Sequence, residues 1–140
     1  VGYGNAFEPP ESEAVLVHVS ERAVERTILL ALADAGLERS DIDVVASSIC
    51  GIAGFDLAEL AGIAAALGGD TPVAAPKAIF GETFGASGAI AMACARTWLA
   101  GNPVAPRVRG VVSRSRSPKH VLVLSVGYYG NASAVILRAA

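Results

Sequence analysis

The chain has 140 residues and a mass of 14.2 kDa, the size of one ordinary domain. Hydrophobic residues make up 53% of it and charged residues 17%, a balance that excludes a disordered chain. The formal net charge of −2 gives no global signal for nucleic-acid binding, and the Gly- and Ala-rich stretch at 83–95 is too short for a helical membrane span. We therefore expect the abundant apolar surface to be buried against protein.

The hydrophobic pattern predicts strands that alternate with helices along the chain. Ser20 is a suitable N-cap for the first helix and Gly36 a suitable residue just beyond its end. Helices are predicted at 20–35, 56–67 and 85–100, and strands at 1–7, 43–48, 72–75, 120–125 and 133–138. This order predicts an α/β fold in which a five-stranded mixed sheet, mostly parallel, is packed against helices.

The third predicted helix, GASGAIAMACARTWLA, has no polar stripe over its first three turns. A helix that is apolar on all sides is normally buried on all sides. One sheet covers only one side of a helix, so its other side needs a second layer. We expect a partner half, in the same protein or in another chain, to provide that layer, although a compact domain with one well-covered helix is the alternative.

Cysteine and histidine residues are few. Cys50 and Cys94 do not make a disulfide framework, and the start of the chain lacks a signal peptide, so we expect a cytoplasmic protein. Cys50 is either a reactive thiol or, more in keeping with its surroundings, a small buried hydrophobe, and Cys94 is predicted to lie in the core. His18 and His120 are predicted to be surface residues. We therefore predict no metal site and no cofactor.

Three segments together resemble the C-terminal half of the β-ketoacyl-ACP synthases, which have the thiolase fold. They are ALADAGLERSDIDVV at 31–45, PVAAPKAIFGETFGASGAI at 72–90 and LSVGYYGNAS at 124–133. They occur in the order of the family and span nearly the whole chain. The resemblance implies one ketosynthase C-terminal-type domain over residues 1–140, with a thiolase-like half-domain fold. It also implies that the N-terminal half, which carries the nucleophilic cysteine in the family, is absent. The chain begins without Met in a strand-like segment, so we expect a fragment or a processed piece.

The resemblance places both catalytic histidines of the family on other residue types. The first falls on Ser48 and the second on Glu82, whereas Lys77 matches the family lysine. The family's glutamate partner for that lysine falls on Ala91, so we expect Lys77 to pair with Glu82 instead, the alternative being two solvated loop charges. Asp56 matches an acidic residue of the family, as does Glu59. A carboxylate that faces a developing enolate repels it unless protonated, so we expect no condensation by this chain alone.

The third segment resembles the glycine-rich loop that gates the acyl pocket in the family. The resemblance implies a pocket gate formed by Gly127, Tyr128, Tyr129, Gly130 and Asn131. The basic run SRSRSPK is either a solvated connector or a docking patch for an acidic acyl carrier protein. The predicted docking residues are Arg107, Arg114, Arg116 and Lys119. RNA binding is disfavoured because no aromatic residues are interleaved.

These expectations favour a degenerate ketosynthase-like subunit, similar to the chain-length factors of polyketide systems. Such a subunit shapes the acyl pocket and pairs with a partner that bears the cysteine. One alternative is an active β-ketoacyl-ACP synthase whose nucleophile comes from another chain, and a second is a binding or scaffold module without acyl chemistry. The expected partners are a ketosynthase-type chain or half and an acyl carrier protein, with no nucleic acid and no membrane.

Overall fold

A six-stranded mixed sheet forms the centre of the computed structural model, which describes residues 1–12, 14–15, 17–112 and 117–140. The helices are α1 (Glu21–Ala35), α2 (Ala53–Leu67), α3 (Lys77–Phe80) and α4 (Ser87–Leu99). The strands are β1 (Gly2–Phe7), β2 (Val44–Ala46), β3 (Val73–Ala74), β4 (Arg107–Arg109), β5 (His120–Val126) and β6 (Asn131–Arg138). Within the described residues, no helix is long and apolar enough to cross a bilayer.

The strand order is β1-β6-β5-β2-β3-β4. Strand β2 runs parallel to β3 and β5, whereas the pairs β1–β6, β5–β6 and β3–β4 are antiparallel. The predicted α/β class with a mixed sheet and packed helices is confirmed. The prediction of five strands is wrong, because the short, arginine-containing segment Arg107–Arg109 adds a sixth strand at the edge beside β3. The sheet is also less parallel than expected.

Helix α1 forms as its sequence predicts. The Ser20 hydroxyl accepts a hydrogen bond from the Ala23 N–H at 3.0 Å, and Gly36 ends the helix in the left-handed region with φ 63°. Its apolar stripe, which includes Val24 and Ile28, is fully buried. Helix α2 begins three residues before the predicted start, and α4 begins two residues after it.

Helices α1 and α2 cover one face of the sheet at very short range. A Cβ atom on Gly4 would lie 2.0 Å from the Thr27 carbonyl oxygen, so β1 approaches the backbone of α1 as only glycine allows. A Cβ on Gly62 would lie 2.7 Å from the Val24 Cβ, so α2 approaches α1 equally closely. This face therefore holds the larger of the two cores.

Helix α4 lies on the opposite face, where it packs against β5 and β2 through Ala91, Ala95 and Trp98. The helix leaves its far side exposed, so within this chain it is not buried on all sides. The outer part of the same sheet face, on β1, is also exposed. Tyr3 is 54% exposed there, and Phe7 is 59% exposed. Cys94, predicted to lie in the core, is half-buried on α4.

Candidate functional site

The three segments that carry the predicted site residues meet at one edge of the sheet. The first follows β2 and contains Ser48 and Cys50, the second includes α3 and the turn at Glu82, and the third joins β5 to β6 around Tyr128. Hydrogen bonds and ring contacts connect these segments, as described below. The fold therefore assembles the site from residues that are far apart in sequence.

Ser48 is part of the buried scaffold. Its hydroxyl donates to the Leu124 carbonyl at 3.1 Å and accepts from the Val126 N–H at 3.0 Å, which ties the end of β2 to β5. The side chain is almost fully buried. This hydroxyl already donates one hydrogen bond and accepts another within the fold, so Ser48 has no free donor for a ligand.

Glu59 supports the same segment from beneath. Its Oε1 accepts the Ser48 N–H at 2.7 Å, while its buried Oε2 finds no hydrogen-bond partner among the described residues. Burial raises the pKa of Glu59 to about 8, against the opposing effects of the Ser48 N–H and of the Lys77 charge. Glu59 is therefore mostly neutral at pH 7, inside the protein and without contact with solvent.

Glu82 accepts hydrogen bonds at both carboxylate oxygens. Its Oε2 accepts from Lys77 Nζ at 2.8 Å and from the Tyr128 hydroxyl at 2.5 Å. Its Oε1 accepts from the Phe84 N–H at 2.7 Å and from the Ser87 hydroxyl at 3.0 Å. One carboxylate thus joins α3, the following turn, the start of α4 and the loop before β6.

These contacts keep Glu82 ionised. Burial raises its pKa, but the hydrogen bonds from Lys77, Tyr128, the Phe84 N–H and Ser87 outweigh that effect and lower the pKa to about 2. The Lys77 side chain is only 9% exposed, and its Nζ lies 6.0 Å from the centre of the Phe55 ring. The predicted pairing of Lys77 with Glu82 is therefore confirmed in geometry.

Tyr128 is half-buried between two aromatic rings from different elements. The Phe55 ring of α2 lies 5.3 Å away at 55°, and the Phe84 ring lies 6.5 Å away in an edge-on arrangement. The hydrogen bond to Glu82, burial and the neighbouring Cys50 thiol raise the pKa of Tyr128 well above its usual range. Tyr128 therefore acts as a neutral donor at physiological pH.

The loop from Gly127 to Asn131 is also held by its backbone. The Gly127 N–H donates to the Asn131 carbonyl at 2.8 Å, which closes the turn. The Tyr128 carbonyl accepts from the His18 N–H, and the Gly130 N–H donates to the His18 carbonyl. His18 is half-buried here with a buried Nε2, so it is not the surface residue that was expected. The His120 ring lies at the surface beside the Asp41 carbonyl, as expected.

Phe84 has a positive φ of 46°, an uncommon conformation for a bulky residue. The hydrogen bond from its N–H to Glu82 holds the backbone there, while the side chain is 73% exposed. Ile79 and Phe80 of α3 are exposed beside this turn. The turn that the ionised Glu82 holds is therefore surrounded by exposed apolar side chains.

The predicted docking residues are only partly described. Arg107 is exposed on the edge strand β4, and Lys119 is exposed just before β5. Arg114 and Arg116 lie outside the described residues. The arrangement of all four docking residues as one basic patch therefore stays a prediction.

The assembled groups comprise one ionised carboxylate, one lysine, one neutral tyrosine and one inaccessible carboxylic acid. Over the described ranges, no group of three or more His, Cys, Asp or Glu side chains is arranged to hold a metal ion. Sequence reasoning missed the bonds from Ser87 and Tyr128 to Glu82. The Tyr128 bond spans 46 residues, so no local pattern indicates it. Ser87 lies five residues from Glu82, as Lys77 does, and this short separation was the available signal.

Comparison with known proteins places the chain in a family. Residues 5–110 match the family described as "Beta-ketoacyl synthase, C-terminal domain". The "Putative polyketide beta-ketoacyl synthase 2" of Streptomyces halstedii is 37% identical over 91% of this chain and 32% of its own length. The "Actinorhodin polyketide putative beta-ketoacyl synthase 2" of Streptomyces coelicolor is 34% identical over 82% of this chain and 32% of its own length. The chain thus spans about a third of these relatives.

Solved structures share the fold. The ishigamide ketosynthase/chain length factor superposes with a TM-score of 0.82 at 24% identity, covering 99% of this chain and 37% of its own. A beta-ketoacyl synthase from Burkholderia phymatum gives 0.85 at 21% identity, covering 100% of this chain and 37% of its own. These likenesses confirm the thiolase-like half-domain. The matched residues and the curated relatives show that this chain belongs to the β-ketoacyl synthase family, through its C-terminal domain.

Proposed function

We propose that this chain is a ketosynthase-like component of fatty-acid or polyketide assembly, formed as one domain over residues 1–140, that does not itself catalyse condensation. The observation that carries this proposal is the bonding of Glu82, which the resemblance places at the position of the second family histidine. Four hydrogen bonds hold it as a carboxylate. An active condensing site would require a donor at that position.

The chemistry of condensation explains why this substitution matters. Loss of carbon dioxide from a malonyl thioester places negative charge on the thioester oxygen, which hydrogen-bond donors stabilise. The ionised Glu82 repels that charge. Ser48, at the position of the first histidine, has already committed its hydroxyl to Leu124 and Val126. Neither position therefore supports the transition state.

The uncovered face of the sheet supports a role that depends on a partner. The exposed side of α4 carries Ala89, Met92 and Ala93, and Tyr3 is exposed on β1 on the same face. The two relatives named above are three times as long as the matched segment, and one similar structure is a ketosynthase/chain length factor. We infer that this face packs against a ketosynthase-type half or subunit that bears the nucleophilic cysteine.

The remaining predicted residues fit such a component. The loop of Gly127, Tyr128, Tyr129, Gly130 and Asn131 would form a wall of the acyl pocket. A basic patch would dock an acidic acyl carrier protein, with Arg107, Arg114, Arg116 and Lys119 as its members. Replacing Arg107, Arg114 and Arg116 by alanine should weaken carrier-protein binding more at low salt than at high salt. Unchanged affinity at low salt would reject this patch.

A second candidate function is an active synthase in which another chain supplies the cysteine. Lys77 favours it, because this residue matches the family lysine and lies at the centre of the site. In that case Lys77 and Glu82 would assist catalysis directly. The two candidates differ in what a substitution at Glu82 does to turnover.

The deciding experiment measures carbon dioxide release from malonyl-acyl carrier protein by the complex of this chain with its partner. Under the proposal, Ser48→Ala and Glu82→Gln leave turnover within about twofold, while replacing the partner's nucleophilic cysteine abolishes it. Light scattering confirms that each variant complex is assembled. A more than tenfold loss in an assembled Glu82→Gln complex would establish the second candidate instead.

A further inference from the structure

Tyr128 makes side-chain contacts with two other parts of the chain, namely helix α2 and the turn that follows α3. Its hydroxyl donates to Glu82 after α3, and its ring meets Phe55 of α2 and Phe84 of the following turn. Cys50, beyond β2, packs against the same core cluster as Tyr128, a cluster that includes Phe55. Each of the three site segments thus contributes to this one contact cluster.

We propose that Tyr128 is a positioning residue that fastens the three site segments together as one closed unit, with Cys50 shielded beneath it. The inference concerns this chain's own structure and goes beyond the proposed function, since it needs no substrate and no partner. Its failure would leave the proposed function untouched.

Tyr128 holds the site segments together through a charge-assisted hydrogen bond in a partly buried environment. Glu82 is ionised, so the bond from the Tyr128 hydroxyl is stronger than a bond between neutral groups. The same carboxylate is fixed by Lys77 and by Ser87. The acceptor cannot follow Tyr128 if the loop moves, so an opening of the loop has to break the bond.

The backbone restrains the loop from the other side. The Tyr128 carbonyl accepts the His18 N–H at 2.8 Å, and the Gly130 carbonyl accepts the Glu8 N–H at 3.0 Å. A Cβ on Gly130 would lie 1.9 Å from the Glu8 carbonyl oxygen, so the two segments are in direct contact. With the backbone held, the Tyr128 side chain decides whether the site segments separate.

Cys50 reports on this closure, and Cys94 provides an internal reference. Both thiols are half-buried, and they are the two cysteines of the sequence. Cys50 packs against the core cluster that Tyr128 also contacts, whereas Cys94 lies on α4 and packs against the other core. A local release of Tyr128 should expose the first thiol and leave the second unchanged.

The test measures the alkylation rate of each cysteine by N-ethylmaleimide, in the chain as it is isolated, with or without a partner, followed by peptide mass mapping. Tyr128→Phe keeps the ring but removes the hydroxyl. We expect it to raise the Cys50 rate about tenfold, the effect of losing one hydrogen bond to a charged group. Glu82→Gln should raise the rate less, because a weaker acceptor remains.

Tyr129→Phe is the matched control, since it removes the same hydroxyl from the adjacent residue, whose side chain is 43% exposed. We expect it to leave both rates unchanged. Equal Cys50 rates in the wild type and in Tyr128→Phe would overturn the proposal. So would a parallel rise at Cys50 and Cys94, because that result reports loosening of the whole fold rather than release of Tyr128.

Discussion

The two faces of the central sheet differ in how completely this chain covers them. Helices α1 and α2 lie against one face so closely that Gly2, Gly4 and Gly62 have no room for a Cβ atom. On the other face, α4 buries Ala91, Ala95 and Trp98 but leaves its far side exposed. One face is therefore covered within this chain, whereas the other leaves apolar side chains of α4 exposed.

The difference follows from side-chain size and distribution. Helix α1 has a polar face and a buried stripe, which matches a helix between a sheet and solvent. Helix α4 has small apolar residues around much of its surface, as does a helix that lies between two layers. Substitutions should therefore destabilise this chain strongly on the first face and weakly on the second.

The largest expected effect is Gly4→Ala on the covered face. The added methyl would lie 2.0 Å from the Thr27 carbonyl oxygen and 2.8 Å from the Ala31 nitrogen, both backbone atoms that cannot move independently. We expect a loss of more than about 4 kcal/mol, enough to prevent folding. Chemical denaturation followed by circular dichroism measures it.

Gly54→Ala is the matched control for that change. Gly54 lies in α2, and a Cβ there would have nothing within 4 Å. We expect a gain of about 0.5 to 1 kcal/mol from helix propensity. Equal effects of the two substitutions would show that the close approach of β1 to α1 is not what limits stability.

A pH-dependent effect comes next and concerns Glu59, beneath the site. Its pKa is raised to about 8 in the folded chain, above the unfolded value near 4.5. As the pH rises, the unfolded state therefore releases this proton at a lower pH than the folded state does. The contribution of protonated Glu59 to the free energy of unfolding is complete below pH 4.5 and is lost as the pH rises towards 8. We expect the free energy of unfolding to fall by up to about 1.4 kcal/mol per pH unit across this window.

Glu59→Gln isolates that contribution, because the amide can accept the Ser48 N–H but does not titrate. Denaturation curves of both proteins between pH 5 and pH 8 should differ in slope, with the wild type losing stability relative to the variant. Parallel curves over this range would contradict the assignment of a neutral, buried Glu59.

A moderate effect is expected from Thr27→Val in the first core. Thr27 is fully buried, and its hydroxyl donates to the Ala132 carbonyl at 3.2 Å. Removing one buried hydrogen bond should cost about 1 kcal/mol. Thr97→Val removes a comparable hydroxyl from the exposed side of α4 and should cost less than 0.5 kcal/mol. A reversed order in denaturant midpoints would contradict the difference between the two faces.

The smallest effect on this chain's own stability is expected for Met92→Lys on α4. Met92 is 36% exposed, and a lysine there can extend into solvent. The free energy of unfolding of the chain alone should change by less than about 0.5 kcal/mol. A loss of 2 kcal/mol or more would show that the far side of α4 is part of this chain's own core.

The sequence predicts the helices and most strands because periodicity and capping act locally. Ser20 and Gly36 set the ends of α1 as expected. Strand β4 escaped prediction because three residues with two arginines lack an alternating apolar pattern, and their pairing with β3 arises only in the folded chain. The Lys77–Glu82 pair was predictable from its short separation, but the Tyr128 contact spans 46 residues and depends on how the loops meet.

The most direct test of the account is whether the open face binds a partner half. The chain is co-expressed with a ketosynthase-type protein that bears the nucleophilic cysteine, and the mass of the purified product is measured by light scattering. We expect a stoichiometric heteromeric complex with the wild type and none with Ala93→Glu, which places a charge on the exposed side of α4. A stable monomeric wild-type chain, or a complex that Ala93→Glu leaves intact, would contradict the account.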